Sequence, residues 1–126
     1  MRVLIVDDEE SARLLNARIL SNDLAVEVQL AGTCEHALRL AENYTYDAIL
    51  LDLMMPGIGG YAVLYAIRRT AANADTPVIV VSSDKDSIER CMGAGADAFH
   101  VKPVKRAELI ETVRAHLGSR RKAKAR

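Results

Sequence analysis

The sequence predicts an α/β fold, a doubly wound parallel sheet of five strands flanked by five helices. Val3–Val6, Ala48–Leu51 and Val78–Val81 are short apolar runs with no polar alternation, the pattern of strands buried on both faces. Between the runs, apolar residues recur at spacings of three and four, the period of a helix with one buried stripe. The alternation continues along the chain. A repeated strand–helix unit closes into a parallel sheet with helices on both faces, because its crossovers are right-handed.

Taken in order, Val3–Val6 is the first strand and runs into Asp7-Asp8-Glu9-Glu10. Those acids suit a helix cap and first turn, and Ala12, Leu15 and Ile19 mark the first helix's apolar face. Val26–Leu30 alternates as a half-exposed edge strand, followed by a helical stripe at Cys34, Ala37, Leu38 and Ala41. Ala48–Leu51 is the third strand, ending at Asp52 before a Met-Met-Pro-Gly loop, and Val63, Leu64 and Ile67 mark the third helix. Val78–Val81 stops at Ser82-Ser83, after which Asp84 to Met92 reads as a short fourth helix, capped by Ser83 or Asp84 and stopped by Gly93. Ala98–Val101 is the fifth strand, and Ile110, Val113 and Leu117 the stripe of the last helix.

A chain of 126 residues is one domain's worth. With 50% hydrophobic but only 4% aromatic residues, its core must be built from aliphatic side chains. Disordered and collagen-like compositions are excluded. No apolar run approaches the ~18 residues of a membrane span, and the N-terminus is unlike a signal peptide, so a cytoplasmic protein is expected. Cys34 and Cys91 stand apart without metal-ligand spacing and are expected to be buried thiols. The 17 basic and 17 acidic residues cancel, but five of the cations lie in the last seven residues, leaving 12 against 17 before them. The expected organisation is a domain over residues 1–118 and a basic tail over 119–126, either a C-terminus or the start of a linker. Without interleaved aromatic residues or a helix-turn-helix pattern, that tail is not expected to bind nucleic acid. His36, His100 and His116 read as surface or rim residues, and Tyr44, Tyr46, Tyr61 and Tyr65 as packing and surface contacts.

In a doubly wound sheet ligands bind outside the carboxyl ends of the strands. Here those ends carry Asp7 and Asp8, Asp52, Ser82 and Ser83, and Lys102 before Pro103. Three carboxylates on one rim repel one another and persist as an ionised set only beside a cation. Magnesium, which prefers hard oxygen ligands, suits them. A lysine and a hydroxyl facing that cation supply charge and a donor to an incoming phosphoryl group, and a carboxylate between them is a nucleophile. The constellation points to phosphoryl transfer onto an aspartate.

The residues Val-Leu-Ile-Val-Asp7-Asp8-Glu9, Leu-Leu-Asp52-Leu-Met-Met-Pro56-Gly57 with Gly60, Val-Val-Ser82-Ser83, and Gly95-Ala96-Asp97 with Phe99 and Lys102-Pro103 resemble the receiver domain of two-component response regulators, single-domain chemotaxis regulators among them. The resemblance implies a flavodoxin-like strand order 2-1-3-4-5. It implies that Asp52 accepts a phosphoryl group from a histidine kinase or phosphotransfer protein. Asp8, Asp52 and the backbone carbonyl of Met54 would bind Mg2+ directly, with Asp7 assisting through water. Lys102 would pair with the acceptor and then with its phosphoryl group. Ser82 would be the switch hydroxyl, Phe99 the switch aromatic, and the Lys102–Pro103 bond cis. Phosphorylation would draw Ser82 inward, let Phe99 rotate, and remodel the face formed by the fourth helix, fifth strand and fifth helix for a downstream partner or a homodimer. The family implies a phosphoacceptor rather than an enzyme, one that labels itself from small phosphodonors and dephosphorylates itself. Phe99 stands where many members carry Tyr, Gly59 where an acid is frequent, and Met54 and Asp84 occupy positions that tune water access.

Two other readings fit part of the pattern. A magnesium-dependent phosphohydrolase with an aspartate nucleophile shares the chemistry, but the first strand lacks Asp-x-Asp at its end and the chain has no room for a cap domain. The second is a receiver fragment of a larger DNA-binding regulator.

Overall fold

In the computed structural model, which describes residues 1–119, five strands and five helices alternate. They are β1 (Arg2–Val6), α1 (Glu10–Leu24), β2 (Glu27–Ala31), α2 (Cys34–Asn43), β3 (Ala48–Asp52), α3 (Gly59–Ile67), β4 (Val78–Ser82), α4 (Ile88–Gly93), β5 (Ala98–Val101) and α5 (Arg106–His116). All neighbouring strands are parallel, in the order β2-β1-β3-β4-β5. The anticipated fold class and strand order are both observed. The basic residues 120–126, on which the tail expectation rests, lie outside the described residues.

The three apolar runs occupy the centre of the sheet, and β3 and β4 are buried throughout. Because successive side chains of a strand point to opposite faces, the runs feed two cores. Leu4, Val6, Ile49, Leu51, Val78 and Val80 pack with Ala37, Ala41, Val63, Leu64, Ile67 and Cys91 of α2, α3 and α4. Val3, Ile5, Ala48, Leu50, Ile79 and Val81 pack with Leu20, Leu109 and Val113 of α1 and α5. Both cysteines are buried and free, as expected. Among the described residues no helix is long and apolar enough to cross a membrane.

Three local expectations are corrected. The first helix does not bury an Ala12–Leu15–Ile19 stripe: Leu20 is its fully buried residue, whereas Leu15 is 57% exposed. Leu15 instead lines an open groove with Ala12, Ile19, Pro103, Val104 and Leu109. The segment from Asp84 to Met92 is not one helix. Asp84 accepts from the Asp86 amide and caps a 3-10 turn over Lys85–Ser87, and α4 starts only at Ile88. A side chain that satisfies an amide two residues on favours a tight turn over an α-turn. Finally, Leu117 is the C-cap of α5 rather than part of the helix, while it still packs against the core as expected.

At the amino ends of the strands, buried polar groups tie the loops together. The Asn73 carboxamide donates to the carbonyls of Ala41 and Tyr44, and accepts from the Tyr46 amide and the Thr76 hydroxyl. Arg68 donates to the carbonyls of Thr76 and Gly95 and to the Asp97 carboxylate, which also accepts from the Val78 amide. This end is braced; the site residues expected from the sequence lie at the opposite end.

Candidate functional site

β1 ends one residue before Asp7, and β3 ends on Asp52. Val6 pairs with Leu51 in the sheet, so the two carboxylates emerge side by side. Asp8 joins them from the loop, and one carboxylate oxygen from each of the three lies within 4.8 Å of the others. Asp7 is 4% and Asp52 6% exposed, while Asp8 faces solvent.

Burial raises the Asp7 carboxyl above its ordinary pKa, and the charge of Asp52 pushes the same way. The Glu9 amide, 2.9 Å from Asp7 Oδ1, and the charge of Lys102 oppose that shift. Each oxygen of Asp52 has a partner. The Met54 amide donates to Oδ1 at 3.0 Å, and Lys102 Nζ lies 3.2 Å from Oδ2. The lysine side chain is 39% exposed and can follow a group that arrives from outside.

Ser82 is fully buried at the end of β4. Its carbonyl accepts from the Lys102 amide at 2.9 Å, which places Ser82 and Lys102 on adjacent strand ends. Its hydroxyl oxygen accepts from the Asp84 amide at 3.1 Å, leaving its own proton for another acceptor. Phe99 is half-buried on β5, packs at the margin of the core, and lines a groove with His100 and Thr112. It sits three residues before Lys102 and pairs with Val80 of β4 in the sheet. The Lys102–Pro103 bond is cis. Met54 exposes its side chain (58%) beside Asp52 while its amide holds that carboxylate.

The structure thus brings Asp7, Asp8, Asp52, Met54 and Lys102 together, sets Ser82 on the neighbouring strand end, and leaves Phe99 on the surface that follows. Two further residues belong here. A Cβ on Gly60 would stand 2.5 Å from both the Asp52 carbonyl oxygen and Leu53 Cα, so only glycine lets α3 start against the end of β3. Arg13, in the second turn of α1, donates from Nη1 to the Asp7 carbonyl at 2.8 Å. The glycine belongs to the motif already quoted; the only sequence signal for Arg13 is a cation six residues after an acid.

The donor set is oxygen only, carries three like charges and includes the solvent-exposed Asp8. Those properties fit a small hard divalent cation, and magnesium in particular, which keeps part of its shell as water and phosphate oxygen. They do not fit zinc or copper, which favour nitrogen and sulfur.

A family model described as the response regulator receiver domain matches residues 3–114. Among curated proteins the chain is 37% identical over 117 residues to the sensory/regulatory protein RpfC of Xanthomonas campestris, covering 90% of this chain and 16% of that protein. It is 35% identical over 119 residues to the response regulator ArlR of Staphylococcus saprophyticus, covering 92% of this chain and 52% of the relative. The chain therefore spans about half or less of the length of these relatives. Among solved structures, the receiver domain of the sensor histidine kinase PA1611 from Pseudomonas aeruginosa, with a magnesium ion coordinated in its active site cleft, superposes with TM-score 0.84. The two are 31% identical over 94% of this chain and 98% of that one. The response regulator TrrA of Thermotoga maritima, in complex with magnesium and BeF, gives 0.82 at 32% identity over 92% and 98%.

Proposed function

The chain belongs to the receiver domain family of two-component response regulators, and from that premise we propose that Asp52 is its phosphoacceptor and that Asp7, Asp8, Asp52 and the Met54 carbonyl hold Mg2+. The observation that carries the proposal is the cluster itself: three carboxylates within 4.8 Å, with one lysine ammonium 3.2 Å from the Asp52 carboxylate. The PA1611 and TrrA domains, similar to this chain, hold magnesium, which supports the metal assignment.

Bound there, magnesium supplies Lewis-acid neutralisation of the phosphoryl oxygens. The protein's own groups do the rest. Asp52 attacks through Oδ2, the carboxylate oxygen that Lys102 holds before transfer. A P–O bond forms to Asp52, the bond from phosphorus to the donor breaks, and its electron pair leaves on the donor: an imidazole nitrogen of a phosphohistidine, or the acetate of acetyl phosphate. The Met54 amide holds the other oxygen and orients the carboxylate. Lys102 exchanges its contact with Asp52 for one with the transferred group, stabilising charge that develops outside the original pair. Ser82 turns its free hydroxyl proton to a phosphoryl oxygen, and Phe99 moves into the space vacated beside β4. The α4–β5–α5 face is remodelled, and a partner that prefers this state stabilises the phosphorylated protein by its differential affinity.

On this reading the protein is a cytoplasmic signalling switch. Histidine kinases or phosphotransfer proteins write it, an effector or a second copy reads it through the α4–β5–α5 face, and membrane and nucleic acid have no part in this domain. It labels from acetyl phosphate without a kinase and hydrolyses its own phosphoaspartate. Incubation with acetyl phosphate and magnesium should give one phosphoryl group per chain, released by hydroxylamine as an acyl phosphate is, absent from Asp52→Asn and blocked by EDTA. Equal labelling of Asp52→Asn would assign the acceptor elsewhere.

A further inference from the structure

Asp7 is held at three points. Its amide donates to the Ala31 carbonyl at 3.1 Å, its carboxylate accepts from the Glu9 amide at 2.9 Å, and its carbonyl accepts from Arg13 Nη1 at 2.8 Å. The first two contacts follow from the ends of β1 and α1. The third comes from a long charged side chain that crosses from α1 over the end of β2. Its path is recorded in the neighbouring backbone. A Cβ on Gly32 would stand 2.7 Å from Arg13 Nη1 and 3.2 Å from Cζ, and all three close approaches at that position are to Arg13. Gly32 does not have a positive φ, so its own backbone does not require glycine. A Cβ there would instead force the Arg13 guanidinium out of its present path.

We propose that Arg13 is a positioning residue for the magnesium site, acting through the Asp7 carbonyl, and that Gly32 opens the path by which it reaches. The proposal rests on the reading of the carboxylate cluster as a magnesium site. Asp7 and Asp8 lie between the end of β1 and the start of α1, outside either element, so the directions of their carboxylates are set by whatever fixes that short loop. A charge-assisted hydrogen bond to the Asp7 carbonyl fixes the peptide plane between Asp7 and Asp8. Contacts of this kind, one step removed from the metal, govern affinity by orienting the ligands.

Charge and position make opposite predictions. A fixed cation near a cation site opposes metal binding, so if Arg13 acted only through its charge, Arg13→Ala would bind magnesium more tightly. If it acts by holding Asp7, the same variant binds more weakly. Gly32→Ala separates the two again, because it displaces the guanidinium and keeps the charge.

The test is an NMR titration of the 126-residue chain with magnesium chloride, following the Asp8 and Met54 amides, for wild type, Arg13→Ala, Gly32→Ala and the double variant. Thermal midpoints in EDTA monitor stability separately. Both single variants should raise the magnesium dissociation constant about tenfold while remaining folded. The double variant should match Arg13→Ala alone, because Gly32 has no path left to protect. Unchanged or tighter binding in Arg13→Ala overturns the proposal, as do unchanged affinity in Gly32→Ala, additive effects in the double variant, or a fall in thermal midpoint with magnesium affinity intact. Failure of wild type to bind magnesium would instead refute the metal site itself, and this inference with it.

Discussion

Replacing Asp7 by Asn should make the metal-free protein more stable, although it alters a buried residue of the candidate site. The oxygens of Asp7 and Asp52 lie within 4.8 Å of each other and both residues are buried. At an effective dielectric near 20 their repulsion is about 3.5 kcal/mol. Asparagine keeps an oxygen for the Glu9 amide but removes the charge, so the repulsion is relieved without orphaning that donor. Part of the gain is returned, because Asp7 also feels the attraction of Lys102, and the open rim screens what remains. The expected net effect is a stabilisation of about 1–2 kcal/mol, or a rise in thermal midpoint of about 4 °C per kcal/mol at this chain length. Urea unfolding of both proteins in EDTA at pH 7 measures it. The sign with pH is fixed by the raised pKa of Asp7. A carboxyl that holds its proton more tightly folded than unfolded destabilises the protein above its folded pKa, and the penalty fades as pH falls through that value toward the ordinary ~4 of the unfolded chain. The advantage of Asp7→Asn should shrink over that interval. A destabilised Asp7→Asn, or an advantage that grows on acidification, would refute the electrostatic reasoning.

Further outcomes follow from the same contacts. Lys102→Ala should slow labelling by acetyl phosphate about a hundredfold and, because it leaves the buried Asp52 carboxylate without its ammonium partner, lower urea stability by about 1–3 kcal/mol; unchanged labelling rates would remove Lys102 from the chemistry. Gly60→Ala drives a Cβ to 2.5 Å from backbone atoms of Asp52 and Leu53. It should cost about 2 kcal/mol or more and impair labelling, whereas Gly93→Ala, with nothing within 4 Å, should do neither. Asn73→Ala leaves the Ala41 and Tyr44 carbonyls and the Tyr46 amide without their partner in the interior, for an expected loss of about 3 kcal/mol in urea. Because Asn73 is at the far end of the sheet, its labelling under folding conditions should be normal.

The sheet was legible because its three central strands are unbroken apolar runs, and burial on both faces is the one environment that suits them. The edge strand was legible from alternation, and its placement one residue further on, at Glu27–Ala31, changes no argument. Spacing alone cannot say which of two apolar stripes of the first helix meets the sheet: Leu20 does, and Leu15 faces a groove whose far wall, Pro103, Val104 and Leu109, is distant in sequence. The fourth helix is shorter than its sequence signals suggest, because a cap at Asp84 serves a 3-10 turn as well as an α-helix. At the site, the carboxylates and the lysine were legible because strand ends fix where they go. Arg13 was not, since its role depends on a side chain crossing from α1 to a backbone carbonyl past Gly32, and no local pattern encodes that crossing.

The central claim is that one carboxylate, that of Asp52, takes the phosphoryl group. Borohydride reduction of the phosphorylated protein, followed by peptide-resolved mass spectrometry, converts an acyl phosphate on aspartate to homoserine at the position that carried it. Homoserine at position 52 alone, dependent on both acetyl phosphate and magnesium, is the predicted result. Homoserine at position 7 or 8, or a phosphoryl group that survives reduction unchanged on a hydroxyl, would contradict it.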